Sequence, residues 1–289
     1  MSEYKKNSFD IEKGYKSALI LVQSHYENFP VVSFLVPKKQ RKHIAIIYWF
    51  ARTADDIADE GEMPGEERIK KLNELQKRVD EITEGKHKNE IDAALGNTLK
   101  INNLSPENLK NLLKAFKQDV TKKRYENFYE VLSYCKYSAN PVGKLILELN
   151  NIRNRDAYKY SDKICTALQL TNFIQDTEID YNKGRIYLSI EELKKFNVDE
   201  KVFRLKENNA NLKKLLKFNI ERIEEMFEEG KLLLPFLKGR LKFEIAWTIL
   251  GGKKILEKIK ISDYNIFGNR PTLSKIDFLN LLCKSVFIR

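Results

Sequence analysis

The chain of 289 residues is poor in the residues that end regular structure, with 12 glycines and 7 prolines. A sandwich or barrel of many short strands needs turn residues in greater supply, so that class is disfavoured. Cysteine is scarcer still. The three present, Cys135, Cys165 and Cys283, are far apart and odd in number. They form no CxxC or Cys/His metal spacing, which excludes a disulfide scaffold and points to reduced thiols in a cytosolic setting. The three histidines, His25, His43 and His87, are scattered as well. The start of the chain lacks the apolar stretch of a secretion signal. The longest apolar runs, such as Ile44–Ala51, are far too short to cross a bilayer. The expected protein is cytoplasmic, or at most peripheral to the inner membrane surface.

Hydrophobic residues make up 42% and charged residues 32%, which is globular composition and too apolar for intrinsic disorder. The length suits one or two domains and a core that needs no covalent staples. Lys and Arg number 52 against 41 Asp and Glu, a formal net charge of +11. Such an excess favours an anionic partner: nucleic acid, anionic lipid or a phosphorylated small molecule. For any single basic cluster, a lysine-rich solvated surface is the simpler explanation.

Helical periodicity runs through most of the chain. Ile69, Leu72, Leu75, Val79 and Ile82 recur at three- and four-residue steps, one face of a helix. Leu109, Leu112, Leu113 and Phe116 do the same behind Ser105-Pro106-Glu107, a helix-start signal. Ser189 and Glu192 have capping-box spacing, and Leu212, Leu215, Leu216, Ile220, Ile223 and Phe227 stay in register between Asn208 and Gly230. Strand-like alternation is nowhere sustained, and no linker or repeat divides the sequence. The expectation is one all-α domain spanning residues 1–289, with about ten or more helices joined by short loops.

Two segments are apolar on nearly every side yet carry carboxylates near their ends. They are Ile44–Glu60 and Ile164–Leu188, read as core helices. Asp55, Asp56 and Asp59 form D-D-x-x-D, and Asp55 and Asp59 share a helix face. Like charges at that spacing repel, and a helix C-terminal end is the worse end for them. A cation between them resolves both problems, and Mg²⁺ suits oxygen ligands supplemented by substrate phosphates. The second segment repeats the device with Asp176 and Asp180, preceded by Gln169 and Asn172 on the same stripe. If the two helices face each other, the pairs flank a cavity and hold Mg²⁺ against a diphosphate. A single DxxxD is most often a solvated helix face, and it is the repetition that points to a metal. A di-iron bundle would need Glu-x-x-His motifs on two helices, and the sequence does not supply two.

Arg52 lies one turn before Asp56, and Lys183 and Arg185 follow Asp180 around Gly184. These cations suit a leaving diphosphate or pair with the acids themselves. Gly251-Gly252-Lys253-Lys254 lacks P-loop spacing. Lys38, Lys39, Arg41 and Lys42 are read as a solvated loop, with a membrane or a diphosphate as the alternative contact.

At these residues the sequence resembles the squalene/phytoene synthase family. FARTADDIADE looks like its first aspartate-rich motif and LQLTNFIQDTEIDYNKGRIYL like its second. Three further segments look like the hydroxysqualene synthase branch: HYENFPVVSFLVP (His25–Pro37), FKQDVTKKRY (Phe116–Tyr125) and YCKYSANPVGKL (Tyr134–Leu145). Ser138-Ala139-Asn140-Pro141 stands where many squalene and phytoene synthases read closer to VAGxVG, a departure that favours that branch.

The resemblance implies an isoprenoid synthase fold, a helical bundle around a central cavity. It implies a carbon–oxygen lyase reaction in isoprenoid and hopanoid biosynthesis, in which presqualene diphosphate and water give hydroxysqualene and diphosphate. A separate presqualene diphosphate synthase would act upstream on farnesyl diphosphate. The cofactor is Mg²⁺, about two or three ions, with no NADPH. Asp55, Asp56, Asp59, Asn172, Asp176 and Asp180 become the metal set. His25, Phe29, Arg52, Gln169, Asn172, Lys183 and Arg185 become substrate contacts, and Tyr134, Tyr187 and Arg52 the catalytic group. Aromatic faces stabilise cations; Phe29 and Phe50 are further candidates, though ordinary core packing accounts for Phe50 as well. Because substrate and product both carry long hydrocarbon chains, peripheral membrane contact fits the same picture. Competing readings are a presqualene diphosphate or squalene synthase and a non-catalytic relative. The remaining one is a basic helical nucleic-acid-binding protein, which leaves the repeated carboxylates unexplained.

Overall fold

The computed structural model describes residues 9–24 and 37–285. Within them every regular element is a helix: fourteen α-helices and one 3₁₀-helix. The chain divides into two compact units, each taken by itself below: Met1–Val120 with Leu145–Asn151, and Thr121–Lys144 with Ile152–Arg289.

The first unit holds α1 (Ile11–Ser24), α2 (Lys38–Asp59), α3 (Gly65–Thr83), α4 (Glu90–Ile101) and α5 (Pro106–Thr121). The stripe read from the sequence is the buried face of α3, with Leu72, Val79 and Ile82 in the core. Helix α5 begins at Pro106 as expected, a position where the missing N–H costs nothing. Helix α4 is started by a full capping box between Asn89 and Asp92, which sequence reading passed over. Helix α2 is the central rod. Ile44, Ala45, Ile46, Ile47, Phe50, Ala54 and Ala58 all lie in its core, so Phe50 packs as an ordinary core residue. The basic cluster Lys38–Lys42 is part of this helix, not a loop, and Lys42 pairs with Glu12 at 2.7 Å.

The second unit begins with α6 (Phe128–Ser138) and the start of α7 (Asn140–Leu149), whose remaining residues belong to the first unit. It continues with α8 (Arg155–Gln175), α9 (Thr177–Asn182), α10 (Ile190–Lys195), α11 (Lys201–Leu205) and α12 (Ala210–Gly230). After the 3₁₀-helix Lys231–Phe236 come α13 (Gly239–Ile261) and α14 (Lys275–Ser285). The six apolar residues predicted for α12 are all buried. Ser189 starts α10 by accepting from the Glu192 N–H. Gly252 is structural: a Cβ there would lie 2.5 Å from Phe227 Cζ, so glycine lets α13 approach that ring.

Candidate functional site

The first carboxylate set closes α2. Asp59 is the last helical residue, and Asp55, Asp56 and Asp59 are all half-buried. The anticipated electrostatic problem is met inside the helix. Arg52 sends one guanidinium nitrogen to Asp55 at 3.1 Å and the other to Asp56 at 2.7 Å, with Glu60 at 3.5 Å. This planar fork is the geometry a phosphate also accepts. Burial, the leading influence, raises the pKa of neighbouring Tyr48, opposed by Arg52 and aided by the two carboxylates.

The second set departs from the expected single helix. Helix α8 stops at Gln175, Asp176 sits in the joint at φ −103° and ψ 14°, and α9 restarts at Thr177. The cause is local. The Thr177 hydroxyl donates back to the Phe173 carbonyl at 2.8 Å and the Ile174 carbonyl at 3.0 Å, which bends helices. Backbone spacing still holds across the joint, with Asp180 N–H donating to the Asp176 carbonyl at 2.8 Å. Upstream, Gln169 is half-buried and Asn172 exposed on α8.

Asp176 has a partner that no sequence signal announced. Arg270 bonds both of its carboxylate oxygens, through Nε to one and through Nη2 to the other at 3.1 Å. The same loop is tied down by Gln175 donating to the Pro271 carbonyl and by Gly268 N–H donating to Glu178 at 2.7 Å.

Beyond Asp180 the chain turns sharply. Gly184 takes φ +77°, where a side chain would be strained, and Arg185 N–H reaches back to the Asp180 carbonyl at 2.8 Å. Arg185 is buried and Lys183 exposed, so the two predicted phosphate ligands occupy different environments. Arg124 braces the turn, donating to the Gly184 carbonyl at 2.7 Å while its fork holds Glu200 at 2.9 Å. The stretch after the turn lies along the end of the FKQDVTKKRY segment. Ile186 N–H donates to Lys123 at 3.1 Å and Ile190 N–H to Tyr125 at 2.8 Å.

That pairing gathers an aromatic cluster from three of the singled-out segments. Tyr187 stacks on Phe173 with centroids 3.7 Å apart and planes 5° from parallel. Tyr134 lies 5.5 Å from Tyr187 and 5.8 Å from Phe173, and Tyr125 stacks on Tyr187 at 5.5 Å. The structure thus brings Tyr134 and Tyr187 together, and adds Phe173 and Tyr125, which lie inside the quoted motifs but carried no signal of their own. His25 and Phe29 lie outside the described residues.

Both carboxylate sets offer hard oxygen donors. Among the described residues no three His, Cys, Asp or Glu side chains gather tightly enough to enclose a metal. That donor set excludes a closed zinc-type cage among these residues and fits an ion that completes its shell with water and phosphate oxygens, as Mg²⁺ does. Asp55, Asp56 and Asp176 would have to trade an arginine for such an ion, and the guanidinium released is then available to an anion.

A family model described as squalene/phytoene synthase matches residues 22–277, a span that includes both carboxylate sets. A hydroxysqualene synthase of Sinorhizobium fredii is 31% identical over 240 residues, 82% of this chain and 80% of that protein. A 15-cis-phytoene synthase of Synechocystis is 26% identical over 284 residues, 93% of this chain and 84% of the relative. The crystal structure of squalene synthase HpnC from Alicyclobacillus acidocaldarius has a TM-score of 0.84 at 31% identity, covering 89% of this chain and 97% of its own. The architecture is thus the all-α isoprenoid synthase fold, of a divalent-metal-dependent type. The chain belongs to the squalene/phytoene synthase family.

Proposed function

We propose that the protein converts presqualene diphosphate and water to hydroxysqualene and diphosphate with Mg²⁺. The observation that carries this reading is the 31% identity, over 82% of the chain, to a protein named hydroxysqualene synthase, against 26% to a phytoene synthase. The Ser138–Pro141 departure described above points the same way.

Asp55 and Asp59 are metal ligands in this reading, as are Asp176 and Asp180, with Asp56 and Asn172 in support. When bound, Mg²⁺ neutralises the diphosphate as its carbon–oxygen bond ionises. Arg52, Lys183 and Arg185 bind phosphate oxygens, and Gln169 orients substrate. His25 and Phe29 belong to the substrate region in this reading. The Tyr134 and Tyr187 rings lie beside the carbon cation in this reading, in surroundings that keep out stray water. The cyclopropylcarbinyl cation opens, water adds to it, the water's proton departs, and diphosphate is the leaving group. No hydride donor enters the balance.

The test is product analysis. Purified protein receives presqualene diphosphate and Mg²⁺ without NADPH, and separately farnesyl diphosphate. Hydroxysqualene from the first and nothing from the second is the expected result. Presqualene diphosphate or phytoene-type products from an allylic diphosphate, or squalene only with NADPH, would assign the chain to another branch.

A further inference from the structure

The C-terminal helix α14 wears part of its apolar surface on the outside. Its inner face is set by Asp277, Leu281 and Ser285, spaced four residues apart. Leu281 and Ser285 are buried, and Asp277 pairs with Lys258 of α13 at 2.6 Å. Phe278 meets Trp247 of α13 edge to face at 5.5 Å. On the opposite side, Ile276, Leu279 and Cys283 fall at i, i+3 and i+7, one helical stripe. Ile276 is 70% exposed and Leu279 65% exposed, and Cys283 is exposed with them. Exposed Lys275 and Lys284 flank this stripe, each about a quarter turn away.

We propose that this outer face of α14 docks the protein on an anionic phospholipid bilayer. The stripe is the apolar side of an interfacial helix, and the lysines sit where its edges meet headgroups. Charge complementarity favours the lipid surface, because the whole chain carries +11. A second copy of the chain fits worse. Three side chains of this size cover on the order of 300–400 Å², well below the roughly 800 Å² per partner of a stable interface. A two-fold pairing would also set the flanking lysines of two copies against each other. No described helix is long and apolar enough to cross a membrane, so the contact is peripheral. The family match ends at residue 277, so most of α14 lies beyond it, and the proposal does not rest on the catalytic reading.

The exposed Cys283 provides the probe. Burial pushes the Cys135 and Cys165 thiols up to about 12, so a thiol-reactive, polarity-sensitive fluorophore labels Cys283 selectively. The labelled full-length chain is titrated with vesicles of phosphatidylcholine alone and with added phosphatidylglycerol, and the unlabelled chain is co-sedimented with both. The expected result is a blue shift and sedimentation with the anionic vesicles, lost on adding salt. Ile276→Glu with Leu279→Glu should lower partitioning at least about tenfold. Lys275→Gln with Lys284→Gln should lower it about fivefold for each lysine. All four positions are exposed, so circular dichroism and melting temperature stay unchanged. The proposal is overturned by vesicle binding that neither double variant weakens, or by no binding to anionic vesicles. A concentration-dependent dimer that the Ile276/Leu279 variant dissociates would equally overturn it.

Discussion

Arg270 holds both carboxylate oxygens of Asp176 from 94 positions further along the chain. The pair is mostly shielded, with the Asp176 side chain 15% exposed. A cation drawn to Asp176 would have to compete with Arg270 for the same oxygens. Arg270→Gln should destabilise the metal-free protein by about 1–3 kcal/mol, the cost of leaving a shielded carboxylate without its donor. Added Mg²⁺ should then raise the melting temperature of Arg270→Gln by more than that of the parent. An equal shift in both would mean that arginine and metal do not share Asp176.

Asp55→Asn and Asp176→Asn are each expected to lower turnover of presqualene diphosphate by about 10³-fold or more, as loss of charge stabilisation at a leaving group does. The helical circular dichroism signal should stay intact. Normal turnover in either variant would remove that aspartate from the metal set.

Folding stability should fall below neutral pH because of a buried histidine in the first unit. His43 Nδ1 lies 2.9 Å from Thr98 Oγ1 and 3.3 Å from Tyr15 Oη, among groups that also include Lys42 and Glu12. Burial, helped by Lys42 and opposed by Glu12, holds the His43 pKa below its ordinary 6.5. The unfolded chain therefore takes up the proton first. Stability from the neutral ring is complete above about pH 6.5 and drains away as pH falls towards the folded-state value. His87, desolvated beside Arg78, titrates in the same sense. Urea midpoints measured from about pH 7.5 down to 5.5 should fall, and His43→Gln should flatten part of that slope.

Gly252→Ala should cost about 1–3 kcal/mol, because the new methyl meets Phe227 at 2.5 Å inside the packing of α12 and α13. Phe227→Leu in the same chain should recover part of the loss. Independent, additive losses in the two variants would show that the glycine is not there to admit the ring.

The buried faces of α3 and α12 were legible because a 3.6-residue period is written in side-chain type alone. Arg52 beside Asp55 and Asp56 was legible for the same reason: its partners lie three and four residues away. The joint at Asp176 was not, because it depends on a threonine hydroxyl choosing carbonyls over solvent. Arg270 was not, because nothing in a linear pattern announces a partner a third of the chain away. The aromatic cluster was half legible. Tyr134 and Tyr187 were singled out, but the backbone pairing that brings Tyr125 alongside them has no periodic signature.

The stack between Phe173 and Tyr187 has a consequence for the segment that carries Asp176 and Asp180. These rings tie the two ends of the aspartate-bearing segment to each other, centroid to centroid at 3.7 Å. Everything between them, Asp176 and Asp180 included, is a closed ring of chain whose ends are already joined. The entropy of closing it is spent during folding, not when a cation arrives. Cutting that clasp with Tyr187→Ala would leave every carboxylate in the sequence and return that closure entropy to the segment.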